Sequence, residues 1–192
     1  MTERQTHPRV LPLITERWSP RSFDASAMPQ EDLEAILTAA GLAPSAYNLQ
    51  PWTFIYAHRG DEHWDRLLGL LVEFNQAWAK DASVLVFPVS DTKMRMGGPE
   101  PAPSYTHSFD TGAAWGMLAL QAQHMGYYTH GMIGVDLARA AQELGVPEDH
   151  RIEAAIAIGR IAPKERLPEM LQEREVISGR KPVSEIMKAG KF

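Results

Sequence analysis

Helix and strand signals alternate along this chain without an internal repeat or a clear linker, and that alternation points to one mixed domain over residues 1–192. In MPQEDLEAILTAAGLAP, Leu33, Ile36, Leu37 and Ala40 recur at helical spacing. Pro29 suits a first turn, Glu31 and Asp32 favour the N-terminal end, and Gly41 and Pro44 stop the helix. WTFIYAH is aromatic and β-branched and runs into an Arg59-Gly60-Asp61 turn, so it reads as a strand. EHWDRLLGLLVEFNQAW predicts one longer helix. SVLVFPVS predicts a buried strand, with Pro88 favouring an edge or an end, and GGPEPAP reads as loop. FDTGAAWGMLALQAQHMG predicts a buried helix that closes at Gly126, its Gly112, Ala113, Ala114 and Gly116 letting another backbone approach. YYTHGMIGV, DLARAAQELGV and IEAAIAIGRI follow as strand or loop, helix, and strand. Residues 162–192 carry charges and prolines with little apolar periodicity, the pattern of an arm without a core of its own.

Composition narrows the chemistry. With 44% hydrophobic and 22% charged residues the chain has the balance of an ordinary globular domain. No apolar run approaches the roughly 20 residues that span a bilayer, and the start MTERQTHPRVLPL lacks the pattern of an export signal, so a cytoplasmic protein without membrane contact is expected. The absence of cysteine excludes disulfides, zinc-thiolate sites, iron-sulfur clusters and thiol nucleophiles, so redox chemistry here needs a bound cofactor. A net charge of -5 argues against broad nucleic-acid binding. The histidine pairs His58/His63 and His124/His130 lack metal-ligand spacing, and no metal is expected. The GxSxG, GxxxxGK and GxGxxG motifs are missing, which removes the usual support for hydrolase and triphosphatase chemistry. Glu31/Asp32 and Glu173/Glu175 read as solvated surface carboxylates.

Against this acidic background RWSPRSF sets Arg17 and Arg21 around Ser19. Alone, the trio fits an exposed turn before a helix better than an anion site, since isolated surface arginines are common. Its companions are APSAYNLQPW, where two prolines stiffen a stretch holding Ser45, Asn48 and Gln50, then EFNQAWAKDAS with Asn75, and THGMIGVD, whose glycines allow backbone to lie against a flat ligand.

Taken in order along nearly the whole chain, these segments resemble the FMN-dependent nitroreductase-like flavoproteins. The shared features are RxSxR, APSxxNxQPW, FN followed by DAS and an apolar strand, an Asp-Gly-Ala helix, a loop ending Gly-x-Asp, IGR, and a basic-Pro segment at Arg180-Lys181-Pro182. The resemblance implies an α+β sandwich with a central mixed, mainly antiparallel sheet flanked by helices. It also implies an intertwined homodimer that exchanges an extended C-terminal arm, about residues 162–192, with FMN at the subunit interface. Carried over, Arg17, Trp18, Ser19 and Arg21 belong to the segment at the FMN phosphate and the flavin's pyrimidine edge, and Arg180, assisted by Lys181, to the phosphate. Pro44, Ser45 and Asn48 match the stretch supplied by the partner, Asn75 the asparagine that bonds the ring system, and Met132, Ile133 and Gly134 the loop along the isoalloxazine.

The implied activity is oxidation of NADH or NADPH and reduction of nitroaromatics, quinones or other flat acceptors in a ping-pong scheme, with the flavin N5, and no catalytic side chain, carrying the chemistry. Reductive dehalogenation, flavin breakdown, non-enzymatic flavin binding and a helical interaction module remain alternatives at this point. Two departures bear on substrate. Trp78 stands where some relatives have a lysine, and the short, proline-rich stretch Asp91 to His107 implies an open flavin face flanked by Tyr105, Phe109 and Tyr47.

Overall fold

The computed structural model describes residue 4 and residues 6–97 and 100–192. Its helices are α1 (Pro12–Glu16), α2 (Gln30–Gly41), α3 (Trp64–Gly69), α4 (Glu73–Ala79), α5 (His107–His124), α6 (Leu137–Glu143), α7 (Glu169–Gln172) and α8 (Val183–Ile186). The strands are β1 (Trp52–His58), β2 (Val84–Asp91), β3 (Lys93–Met94), β4 (Ala102–Pro103), β5 (Tyr128–Met132), β6 (His150–Ile152) and β7 (Ala155–Gly159). The main sheet runs β1-β2-β7-β5, with β6 also on β2, and among the described residues every pairing in it is antiparallel.

The apolar run at β2 is buried on both faces because helices cover both. Successive side chains of a strand point to opposite faces. Leu85, Phe87 and Val89 join Leu67, Trp78 and Ala140 of α3, α4 and α6 in one layer. Val84 and Val86, with Ile156 and Ile158 of β7, join Leu33 and Ile36 of α2 and Leu118 of α5 in the other. The expected helix at 28–44 is α2, with Leu33, Ile36 and Ala40 buried as its spacing requires. Tyr127, just after α5, donates to Asp32 Oδ2 at 2.6 Å while the Arg160 guanidinium lies 4.4 Å from its ring, so Asp32 is an anchor for α2 rather than a bland surface carboxylate.

Three sequence expectations need correction, and one strand gave no signal. The single helix expected over EHWDRLLGLLVEFNQAW is two, α3 and α4. Leu71 between them bridges Val135, the Asp136 N–H donates to Leu70 O at 2.9 Å, and the Val72 N–H donates to Gly134 O at 3.0 Å. A short ladder thus takes the backbone groups that a continuous helix would use internally. Pro88 lies inside a central strand, not at an edge or an end. Its carbonyl accepts from Glu153 N at 2.9 Å on the side where β2 changes partner from β7 to β6, so the missing N–H falls at a break in the ladder. Within GGPEPAP, Ala102–Pro103 pairs with Lys93–Met94, whereas Gly98 and Pro99 lie outside the described residues. The strand β6 had no signal, being three residues long.

The C-terminal stretch divides at Glu175. Leu167 and Leu171 are in this chain's own core and Glu175 is buried, whereas no residue from Val176 onward is. Among the described residues no helix is long and apolar enough to cross a membrane.

Candidate functional site

A groove of about 740 Å³ opens beside α5 and β5, a size suited to a small-molecule ligand. Small and apolar side chains line most of it, among them Ala113, Gly116 and Leu120 of α5, together with Trp115, Met132 and Ile133. Arg17 and Ser19 supply its polar wall, and Arg17 Nη1 donates to Ser19 Oγ at 3.3 Å. A second cavity of about 400 Å³ shares Ile14 and Arg17 with the first and adds Arg4, Arg180 and Lys181. Among the described residues no carboxylate pairs with Arg4, Arg17, Arg180 or Lys181. Burial, and then the like charges of Arg180 and Arg4, pull the Arg17 guanidinium below its ordinary pKa. A half-buried guanidinium that is repelled by neighbouring cations and lacks a counter-ion makes an anion site by elementary electrostatics.

The segment carrying Arg17 to Asp24 is held from several directions. Arg4 Nη1 donates to Arg17 O at 2.8 Å. His130 of β5 donates its Nδ1–H to Pro20 O at 2.9 Å and packs against the Trp78 indole, centroids 4.7 Å apart. Desolvation lowers the His130 pKa to about 4, and Arg21 and Arg17 oppose its protonation further. Glu175 Oε1 accepts from the Arg21 and Ser22 N–H groups at 2.7 and 2.8 Å. Ser22 Oγ donates to Pro163 O at 2.7 Å, Phe23 bridges Ile161, and the Asp24 N–H donates to Arg160 O at 3.0 Å.

Of the residues singled out in the sequence, Arg17, Ser19, Pro44, Met132 and Ile133 line the groove, and Arg180 with Lys181 lines the adjoining cavity. The others stand behind this surface or outside it. Trp18 packs edge-on against Tyr128 with centroids 6.4 Å apart, and Arg21 lies 3.9 Å from Glu175 Oε2. Asn75 is buried and donates Nδ2–H to Gly134 O at 3.2 Å, tying α4 to the loop after β5. Gly134 is required by that contact, since a Cβ there would meet Asn75 Nδ2 at 2.4 Å and Val72 Cγ2 at 2.8 Å. At Gly131 a Cβ would press on the Trp115 ring at 3.3 Å. Both glycines therefore serve internal packing, a use that THGMIGVD did not reveal. Ser45 Oγ accepts from Gln50 N at 3.0 Å within a turn in which Tyr47, Asn48 and Gln50 all have positive φ, 51°, 56° and 49°.

Glu175 was hidden in the sequence because it sits in a run of charges, where a solvated face is the usual outcome; its spacing of four from the buried Leu171 is the signal that could have exposed it. Trp115 was missed as a groove residue, while Tyr47, Tyr105 and Phe109, expected to flank the ligand, are exposed and do not line the groove. Trp78 is in the core, against Phe23 and His130. Asp91, Asp149 and His150 bring potential ligand atoms within 4.8 Å of one another, and Arg95 bonds both carboxylates, so the cluster already holds a cation of the protein's own.

Comparison with known proteins agrees with this architecture. The profile of the nitroreductase family matches residues 14–73 and 62–160, and the chain belongs to that family. A solved structure described as an oxidoreductase containing FMN is 48% identical, with TM-score 0.95, covering 100% of this chain and 98% of that one. A nitroreductase family protein from Streptococcus pneumoniae shares the fold at 22% identity, with TM-score 0.71 over 92% of this chain and 98% of its own. Protein DrgA of a Synechocystis species is 27% identical over 171 residues, 77% of this chain and 81% of the relative.

Proposed function

We propose that this nitroreductase-family chain is an FMN-dependent oxidoreductase. In this reading it works as a homodimer, oxidises NADH or NADPH, and reduces nitroaromatics, quinones or related flat acceptors by a ping-pong scheme. One observation carries the reading: Arg17 lines an apolar groove and also the adjoining cavity that holds Arg180 and Lys181, and none of the three has an acidic partner among the described residues. The residues fit an aromatic ring system with a phosphate tail. Guanidinium forks and the Ser19 hydroxyl match a phosphate, and the apolar walls match a flat ring. The likeness at 48% identity to an oxidoreductase containing FMN supports the choice of flavin over other phosphorylated aromatics.

The flavin, when bound, supplies the two-electron chemistry. This chain's residues then bind and orient. Arg17, Ser19 and Arg180 would hold the phosphate. Arg21, two positions after Ser19 and behind the groove surface, would stabilise negative charge at the ring's pyrimidine edge. The backbone at Met132 and Ile133 would border the ring, and Trp115 and Leu120 would exclude water from it. A second copy would complete the site. The α5 face at Gly112 and Gly116 has open space where a side chain would stand, and Asn48 is exposed in the turn that also holds Ser45.

The purified protein should be yellow, with absorption near about 450 nm, as expected for oxidised flavin. Arg17→Ala should weaken FMN about tenfold or more, since a charged hydrogen bond contributes roughly 1.5 to 3 kcal/mol. Unchanged affinity in that variant removes the assignment of the phosphate site.

A further inference from the structure

We propose that Glu175 is a positioning residue for the cofactor loop, fixing the backbone at Arg21–Ser22 and tempering the positive charge of Arg21 beside the groove; the proposal rests on the flavin reading above. Leu167, Leu171 and Glu175 recur every four residues and are all buried, so the C-terminal stretch turns one face inward and brings a carboxylate with it. The contact spans more than 150 residues of sequence, from position 175 to positions 21 and 22.

A buried carboxylate is unfavourable unless its charge is matched and its oxygens are bonded. Oε1 satisfies this by accepting two backbone N–H groups at 2.7 and 2.8 Å. Oε2 does not: it is buried without a hydrogen bond and meets Arg21 Nη1 only at 3.9 Å. The arrangement has two consequences. The paired N–H bonds fix the direction in which the chain leaves Arg21. The loose ion pair places one negative charge beside Arg21, two positions after the groove-lining Ser19 and near the cations of the adjoining cavity. Removing that charge while keeping the acceptor should therefore strengthen the hold on an anionic ligand, whereas a residue that only supports the fold would weaken binding or leave it unchanged when altered.

The test compares the full-length chain with Glu175→Gln, which keeps an amide acceptor, and Glu175→Ala, which removes it. In hydrogen exchange on the flavin-free proteins, the Arg21 and Ser22 amides should lose about tenfold or more of their protection in the alanine variant and stay within about threefold of wild type in the glutamine variant. FMN, titrated by fluorescence quenching, should bind about tenfold or more weakly to Glu175→Ala. It should bind to Glu175→Gln more tightly than to wild type, and the bound flavin should have a more positive midpoint potential, because loss of a nearby anion favours the more negative reduced form. Exchange at Arg21 and Ser22 that is indifferent to Glu175→Ala overturns the clamp. FMN binding no tighter than wild type, with an unchanged potential, in Glu175→Gln overturns the charge role. Failure of wild type to bind FMN overturns the flavin reading and the charge role with it, while the clamp is still decided by exchange.

Discussion

Two segments border the groove and are held very differently. Residues 17–24 are bonded to β5 through His130, to the C-terminal stretch through Glu175 and Pro163, and to the end of β7 through Arg160. Residues 43–50 reach a distant part of the chain, among the described residues, by one hydrogen bond, from Ala46 N to Asp110 Oδ2 at 3.1 Å. Their remaining bonds are local, and three of these eight residues sit in the left-handed region. The first segment is shaped by its own chain before any ligand arrives. The second has a conformation that local sequence does not favour and that little else in the chain enforces, which is the condition of a surface that meets something further.

The largest effect tests the fastened segment. His130 has an ordinary pKa of 6.5 and is lowered to about 4 by burial, so the folded state holds it neutral. Above about pH 6.5 both folded and unfolded chains carry it uncharged and its contribution is fully present. As pH falls from 6.5 toward 4 the unfolded chain takes up the proton first, and stability should fall by up to about 3 kcal/mol. Urea unfolding at pH 7 and pH 4.5 should show a steeper loss for wild type than for His130→Asn, which keeps a donor for Pro20. Equal losses would mean that the imidazole is not buried as described.

The next effect addresses the single anchor of the other segment. Asp110 is buried in α5, and its Oδ2 also accepts from Thr106 Oγ1 at 3.0 Å. Asp110→Ala leaves two donors unpaired and should cost roughly 2 kcal/mol of stability. Amide exchange in residues 43–50 should rise with it while residues 17–24 stay protected. A rise in both would dissolve the contrast between the segments.

This contrast also marks what the sequence could tell. The two-layer core was legible because periodicity reports it directly: Leu33, Ile36 and Ala40 on α2, and the unbroken apolar run of β2, can be satisfied only by burial. Arg17, Ser19, Pro44, Met132 and Ile133 were legible as companions through motif order, and they meet in one groove. What escaped depends on contacts between distant residues. Only its spacing of four from Leu171 sets Glu175 apart from Glu173, yet one is buried on the Arg21 backbone and the other is exposed. The break between α3 and α4 likewise coincides with the pairing of Leu71 with Val135, 64 positions away by their numbers, a contact that Gly69 at the end of α3 does not announce.

Redundancy in the fastened segment gives a smaller expected effect. Ser22 Oγ donates to Pro163 O at 2.7 Å, and the same residue also receives from Ala162 N at 3.0 Å and donates its own N–H to Glu175. Ser22→Ala should cost about 1 kcal/mol in thermal or urea unfolding, with FMN affinity within about threefold of wild type, because the neighbouring bonds keep the loop in place. A collapse of flavin affinity would show that this one hydroxyl, not the set of anchors, shapes the phosphate wall.

The smallest effect carries the sharpest sign. Asn48 has φ of 56°, which glycine adopts without strain, so Asn48→Gly relieves a backbone conflict while adding freedom to the unfolded chain. For a turn with no purpose beyond connection, these opposing terms should leave stability within about 0.5 kcal/mol of wild type and FMN affinity untouched. If the turn is shaped to meet a second copy and complete its site, stability should be equally unmoved. FMN affinity should then drop severalfold and the dimer should dissociate more readily on dilution, because the Asn48 side chain and the stiffness of the turn are both lost. Sedimentation and flavin titration on the same samples separate the two outcomes. Loss of flavin affinity without any change in dimerisation would place the role of Asn48 within its own subunit, against the assignment of this turn to the partner's site.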